Sequence, residues 1–133
     1  MPIIDRLICW FRGLIEPVPS DSPEAKGILP PVTFPQITHV EKPPRNEKVQ
    51  KSVLYFVAPG RRPKWVLFQC PCGCQSIITL SLQRVHRPHW SLISTAANRP
   101  TLNPSVWRDV GCLSHFWIKD GRVFWCQDTG APL

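Results

Sequence analysis

Thiols carry the first chemical signal in this sequence. Cys70, Cys72 and Cys74 alternate in Gln69-Cys-Pro-Cys-Gly-Cys, and Cys112-Leu-Ser-His115 and Cys126 follow. Pro71 fixes one side of a tight turn, and Gly73 admits backbone angles that a β-carbon forbids, so three thiolates can be aimed at one point. The spacing is Cys-x-Cys-x-Cys rather than two matched Cys-x2-Cys pairs, which makes it a zinc knuckle in outline only. Four soft ligands suit zinc. The expected set is two or three of Cys70, Cys72 and Cys74, then Cys112, then Cys126 or His115. A closed thiolate site of this kind is structural: it supplies folding free energy and activates no water. Disulfides or unliganded buried thiols are the alternatives, and Cys9 reads as a small hydrophobe of an N-terminal helix.

Ser105, His115 and Asp109 form the second constellation. Asn103-Pro104-Ser105 has the pattern of a helix start, with Asn103 as cap, Pro104 in the first helical position and Gly111 as terminator. A serine there lies beside free N–H groups and the positive end of a helix, a setting that stabilises oxyanions. On a strand over 114 to 118, His115 and Trp117 point away from Ser114 and Phe116. His115 therefore needs a nucleophile from elsewhere, and Ser105 with His115 gives the nucleophile and base of covalent acyl transfer. Asp109 or Asp120 would orient the imidazole. Plainer roles compete: a serine after Asn-Pro can simply fill a helix start, Asp109 can face solvent, and a metal-bound His115 could not serve as base. In His86-Arg-Pro-His-Trp90, the residues Arg87, His89 and Trp90 could hold a carboxylate chain end or a nucleic-acid phosphate and base. They read equally as a solvated loop whose tryptophan seals the core.

These residues need elements to position them. Ser52 to Val57, Lys64 to Gln69, Ser76 to Leu82 and Trp90 to Ile93 have strand composition. A hairpin of 114 to 118 with 122 to 126 turns at Lys119-Asp-Gly121, pairing Ile118 with Arg122 and Ser114 with Cys126. The expected fold is α+β, a small antiparallel sheet with short helices and a structural zinc knuckle. Upstream, Ile4, Leu7, Ile8, Phe11, Leu14 and Ile15 form a helical apolar stripe over 3 to 15 that needs a partner surface. A proline-rich stretch follows, with room for one short strand within Thr33 to Val40. This divides the chain into residues 1–50, a helix and extended segment, and residues 51–133, a compact zinc-stabilised domain.

Charge follows the same division. Residues 51–133 hold ten Lys or Arg against three Asp or Glu, while residues 1–50 are balanced, and the whole chain carries +7. Such a charge attracts acidic partners, nucleic acid or protein, without specifying a fold. No apolar run reaches the roughly 18 residues of a membrane span. The N-terminus lacks a cleavable signal pattern, so a reducing cytoplasmic setting is expected, where thiols serve metals or catalysis before disulfides.

The segments YFVAPGRRPKWVLFQCPCGC, HW at 89 and 90, and RPTLNPSVWRDVGCLSHFWIKDGRVFWC resemble the BubE-like family, small bacterial peptidases encoded with ubiquitin-like modifier, activating-enzyme and conjugating-enzyme genes in defence clusters. The resemblance spans about residues 52 to 126. It implies a protease that processes or removes a ubiquitin-like protein, with Ser105 as nucleophile, Cys112 as ligand and His115 as base. Partners would be the ubiquitin-like protein and its activating or conjugating enzymes. Two other classes stay open: a zinc-stabilised module whose basic face binds nucleic acid or an acidic protein, and a non-enzymatic subunit docked through residues 3 to 15.

Overall fold

The computed structural model describes residues 29–130. The helix expected over 3 to 15, and Cys9 within it, lie outside the described residues. Eight strands form: β1 (Ile37–Val40), β2 (Leu54–Val57), β3 (Trp65–Gln69), β4 (Ile77–Ser81), β5 (Ser91–Ser94), β6 (Pro100–Trp107), β7 (His115–Lys119) and β8 (Arg122–Trp125). Helical structure among the described residues is confined to two 3-10 turns, Asn46–Lys48 and Pro59–Arg61. The architecture is thus mostly β rather than α+β. No helix among these residues is long and apolar enough to cross a membrane.

The strands divide into two four-stranded sheets, in the orders β1-β2-β3-β4 and β5-β6-β7-β8. Pairing is antiparallel throughout except for the parallel pair β1 and β2. Period-two alternation explains how the sheets meet. Val66 and Phe68 of β3 enter the main core with Ile78 and Leu80 of β4, Leu102 and Val106 of β6, and Phe116 and Ile118 of β7. Leu67, between them, turns to the opposite face and packs with Val49, Tyr55 and Val57. One core is therefore shared by both sheets. Phe34, Ile37 and Val49, which precede residue 51, are buried with them.

Residues 100 to 107 depart most from expectation, forming strand β6 where a helix start was read from 103 onward. Leu102 and Val106 carry the reason. Both belong in the shared core, and tertiary burial of an alternating pattern outweighs a local capping signal. Pro104 has no N–H to give a ladder, which restricts proline to strand edges and bulges. The strand complies: Leu102 pairs with Ile118 and Val106 with Phe116, so four steps along β6 answer two along β7. Asn103, Pro104 and Ser105 occupy the resulting bulge.

The terminal hairpin turns more tightly than expected. Lys119 pairs with Arg122, leaving Asp120 and Gly121 as a two-residue turn, both at positive φ (50° and 71°). That is the Asp-Gly form of turn whose twist matches the strands it joins. The shorter loop shifts the partner strand by one residue. Cys126 consequently falls opposite His115, donating its amide to the His115 carbonyl at 2.9 Å, and not opposite Ser114. Gly121 is demanded twice over, by its positive φ and because a β-carbon would run into the Phe34 carbonyl, which the Thr33 and Phe34 amides hold close by donating to the Gly121 carbonyl.

Candidate active site and cysteine cluster

Ser105 projects from the β6 bulge toward the start of β7, where its Oγ lies 3.0 Å from His115 Nε2. Bulges re-aim side chains in this way next to reactive sites. Two contacts from the β5 side hold this one. The Trp90 indole N–H donates to the Ser105 carbonyl at 3.2 Å, and the Ser91 hydroxyl donates to the Asn103 carbonyl at 3.5 Å. No helix terminus stands behind Ser105, so the oxyanion donors expected from a helix are absent from this segment.

His115 Nδ1 meets Asp128 Oδ1 at 2.6 Å, and the two side chains are only 2% and 4% exposed. An N–H at Nδ1 donating to the carboxylate leaves the Nε2 lone pair free to accept the Ser105 hydroxyl proton. The Trp107 ring stacks on the imidazole with centroids 5.1 Å apart and planes inclined by 17°. Asp128 itself is carried back by the tail after β8. The His115 amide donates to Thr129 Oγ1 at 3.0 Å, Thr129 donates its amide to the Cys126 carbonyl, and Gly130 donates to the Leu113 carbonyl.

Neither expected orienting carboxylate occupies this place. Asp109 is exposed on the turn after β6. Asp120 accepts from Thr95 Oγ1 at 2.8 Å and pairs with Arg99 at 3.4 Å, bracing the β5–β6 loop instead. Asp128 was legible only through the hairpin register: with Cys126 opposite His115, residues just past 126 return to the imidazole.

On the other side of β7, four sulfurs converge. Those of Cys70, Cys72, Cys74 and Cys112 all lie within 4.8 Å of one another, with Cys70 at 3.5 Å from Cys72 and 3.6 Å from Cys112. A tetrahedral ion with metal–sulfur bonds of about 2.3 Å would place its sulfurs about 3.8 Å apart. The group could hold a metal ion. Gly73, at φ 93°, closes the turn by donating its amide to the Cys70 carbonyl at 3.3 Å. Ser114, fully buried, lies 3.1 Å from Cys112 Sγ and accepts from the Cys70 thiol at 3.5 Å.

The sulfurs are electrostatically unequal. Burial pushes the Cys70 thiol up to about 12, against the opposing contacts of the Cys72 amide and the Ser114 hydroxyl. Burial also works against the Cys74 thiolate, but the Ser76 hydroxyl and amide and the neighbouring thiols outweigh it and bring Cys74 down to about 6. Cys112 is likewise lowered, burial being overcome by Ser114 and the Cys70 and Cys72 thiols. Such crowding of thiols around one point favours a cation among them.

Cys126, expected as a fifth candidate ligand, is not in this group. It neighbours His115 and Asp128 and is disulfide-bonded, so it offers no thiolate. The four-sulfur set is complete without His115, both of whose ring nitrogens are engaged with Ser105 and Asp128.

A cleft of about 710 Å³ has walls that include His89, Trp90, Asn103, Pro104, Arg84 and Leu92, and Ser105 follows Pro104 in the chain without lining it. Two of the three residues expected to bind substrate, His89 and Trp90, are therefore on it. Arg87 is exposed on the preceding loop, and Arg84 takes the basic position in the wall. His89 is fixed by its Nδ1 donating to the His86 carbonyl at 3.1 Å.

A family model described as "Bacterial ubiquitination-like system serine protease (BubE)" matches residues 39–126. No curated protein matches the chain, and no solved structure does. The matched span contains the four clustered cysteines, Ser105 and His115, and ends two residues before Asp128.

Proposed function

The chain belongs to the BubE family of bacterial ubiquitination-like system serine proteases, and from that premise we propose that it is a serine peptidase whose nucleophile, base and orienting acid are Ser105, His115 and Asp128. The observation that carries the proposal is the unbroken relay from Ser105 Oγ through both nitrogens of one buried imidazole to a buried carboxylate. Ser105 Oγ attacks the scissile carbonyl carbon as its proton passes to His115 Nε2. Asp128 holds the tautomer and stabilises the imidazolium that forms. Collapse breaks the bond to the leaving group, which takes the proton from His115. Water, deprotonated by the same nitrogen, then releases the acyl chain and restores the serine.

The substrate in this reading is a ubiquitin-like protein, cut at its C-terminus in processing or removal, with the activating or conjugating enzymes of the same system as further partners. The cleft wall supports it, since Arg84, His89 and Trp90 can receive an extended chain carrying carboxylates, and Pro104 of the same wall directly precedes Ser105. Cys70, Cys72, Cys74 and Cys112 are proposed as a structural zinc site, on the fit of four sulfurs to tetrahedral spacing. Zinc there would add folding free energy.

The deciding test is intact-mass analysis of a ubiquitin-like precursor with a C-terminal extension, incubated with the protein and with its Ser105→Ala form. A defined mass loss with the unmodified protein alone is expected, and it gives the cut site. Equal cleavage by Ser105→Ala would sink the assignment.

A further inference from the structure

One histidine of β7 meets two residues of β6, and the slip in pairing between the strands is what allows it. Before the bulge Leu102 pairs with Ile118, and continuing that register would set Ser105 directly opposite His115. After the bulge Val106 pairs with Phe116, and Trp107 takes the place opposite His115. Ser105 therefore approaches the edge of the imidazole, at Nε2, while Trp107 covers its face.

The restored ladder brings the two rings close. The Arg108 amide donates to the Ser114 carbonyl at 2.8 Å, and the His115 carbonyl is directed the other way, to the Cys126 amide at 2.9 Å. Trp107 and His115 are consequently a non-hydrogen-bonded pair, the kind whose side chains stand nearest. Their centroids are 5.1 Å apart and their planes within 17° of parallel. A flat neighbour at that separation opposes any turn of the imidazole out of its plane, so Nε2 stays on Ser105 and Nδ1 on Asp128. The indole also has an electrostatic part. In the proposed mechanism His115 is neutral until it takes the Ser105 proton, and the imidazolium then formed is buried. An aromatic face carries negative charge and attracts a cation more than a neutral ring. Stabilisation that grows as the reaction proceeds lowers the barrier instead of tightening the resting complex.

We infer that Trp107 is a positioning residue of the peptidase, which holds the plane of His115 and stabilises its imidazolium through the face of the indole. The inference rests on the Ser105 peptidase reading. It gives the register shift a task of its own, because the shift brings a second β6 side chain onto the base.

The test uses the full chain. A fluorophosphonate probe forms an Oγ–P bond with Ser105, expelling fluoride while the hydroxyl proton goes to His115, and a p-nitrophenyl ester gives kcat and KM. Trp107→Leu keeps apolar bulk but has no π face, and it should label and turn over roughly tenfold more slowly, with KM changed little. Trp107→Phe keeps a stacking face and should stay within about threefold of the unmodified protein. Proton NMR supplies a reading that needs no variant: the indole ring current should move the carbon-bound ring protons of His115 upfield. Equal rates for the Leu and Phe forms, whether both fast or both slow, would show that the aromatic face does nothing beyond filling space. A His115 signal without the upfield shift in the unmodified chain would overturn the inference as well. The parent reading fails separately: if Ser105 of the unmodified chain is not labelled, the serine mechanism and this inference fall together.

Discussion

At the scale of single residues, the proposed mechanism makes the Asp128 carboxylate decide whether the imidazole can work. Asp128→Asn keeps the shape but lets Nδ1 become an acceptor, which puts the proton on Nε2 and blocks its role as base. A fall in kcat of roughly 10⁴ is expected, as for the equivalent change in a serine protease triad, measured on whichever substrate the intact-mass assay identifies. Acid should act on the same atom. Protonation of Nε2 removes its lone pair, so activity should decline as pH is lowered and recover on return to neutral, with circular dichroism confirming that the fold persists. A rate that stays level on acidification while Ser105→Ala remains dead would point to a base other than His115.

Elements set these residues in place, and here the sequence was readable unevenly. Strands over 54 to 57, 65 to 69, 77 to 81 and 91 to 94 were legible because each is a short β-branched or aromatic run. The hairpin was legible from Asp120-Gly121, but its register was not, because one residue of loop length separates two plausible pairings and reassigns Cys126 and Asp128. The Asn103-Pro104-Ser105 segment misled for a different reason. Its capping chemistry is local, while the demand for Leu102 and Val106 in the core comes from two sheets far away in sequence. Two predictions belong at this level. Gly121→Ala should lose at least about 1–2 kcal/mol, since the left-handed backbone and the Phe34 carbonyl both oppose a β-carbon, read as a lower melting temperature. Stripping metal with a strong chelator, or replacing Cys112 by serine, should lower the melting temperature and the peptidase rate together. The link is short: Cys112 contacts Ser114, and Ser114 precedes His115 on the strand that holds the base.

For the molecule as a whole, the proposed active face and the core are opposite sides of one strand. Phe116 meets Phe68 of the other sheet edge-on at 6.4 Å and Trp125 at 5.4 Å, while its neighbour His115 faces away to Ser105 and Asp128. Phe116→Ala should therefore cost about 3–5 kcal/mol by denaturant titration, and any folded fraction should be slow because β7 loses its seat. The three members of the relay also arrive from three successive parts of the chain: the bulge of β6, the start of β7, and the tail beyond β8. In the proposed mechanism the acid is therefore the last member to be placed, and a chain whose tail has not folded back beside His115 holds a serine and an imidazole with no carboxylate to fix the tautomer.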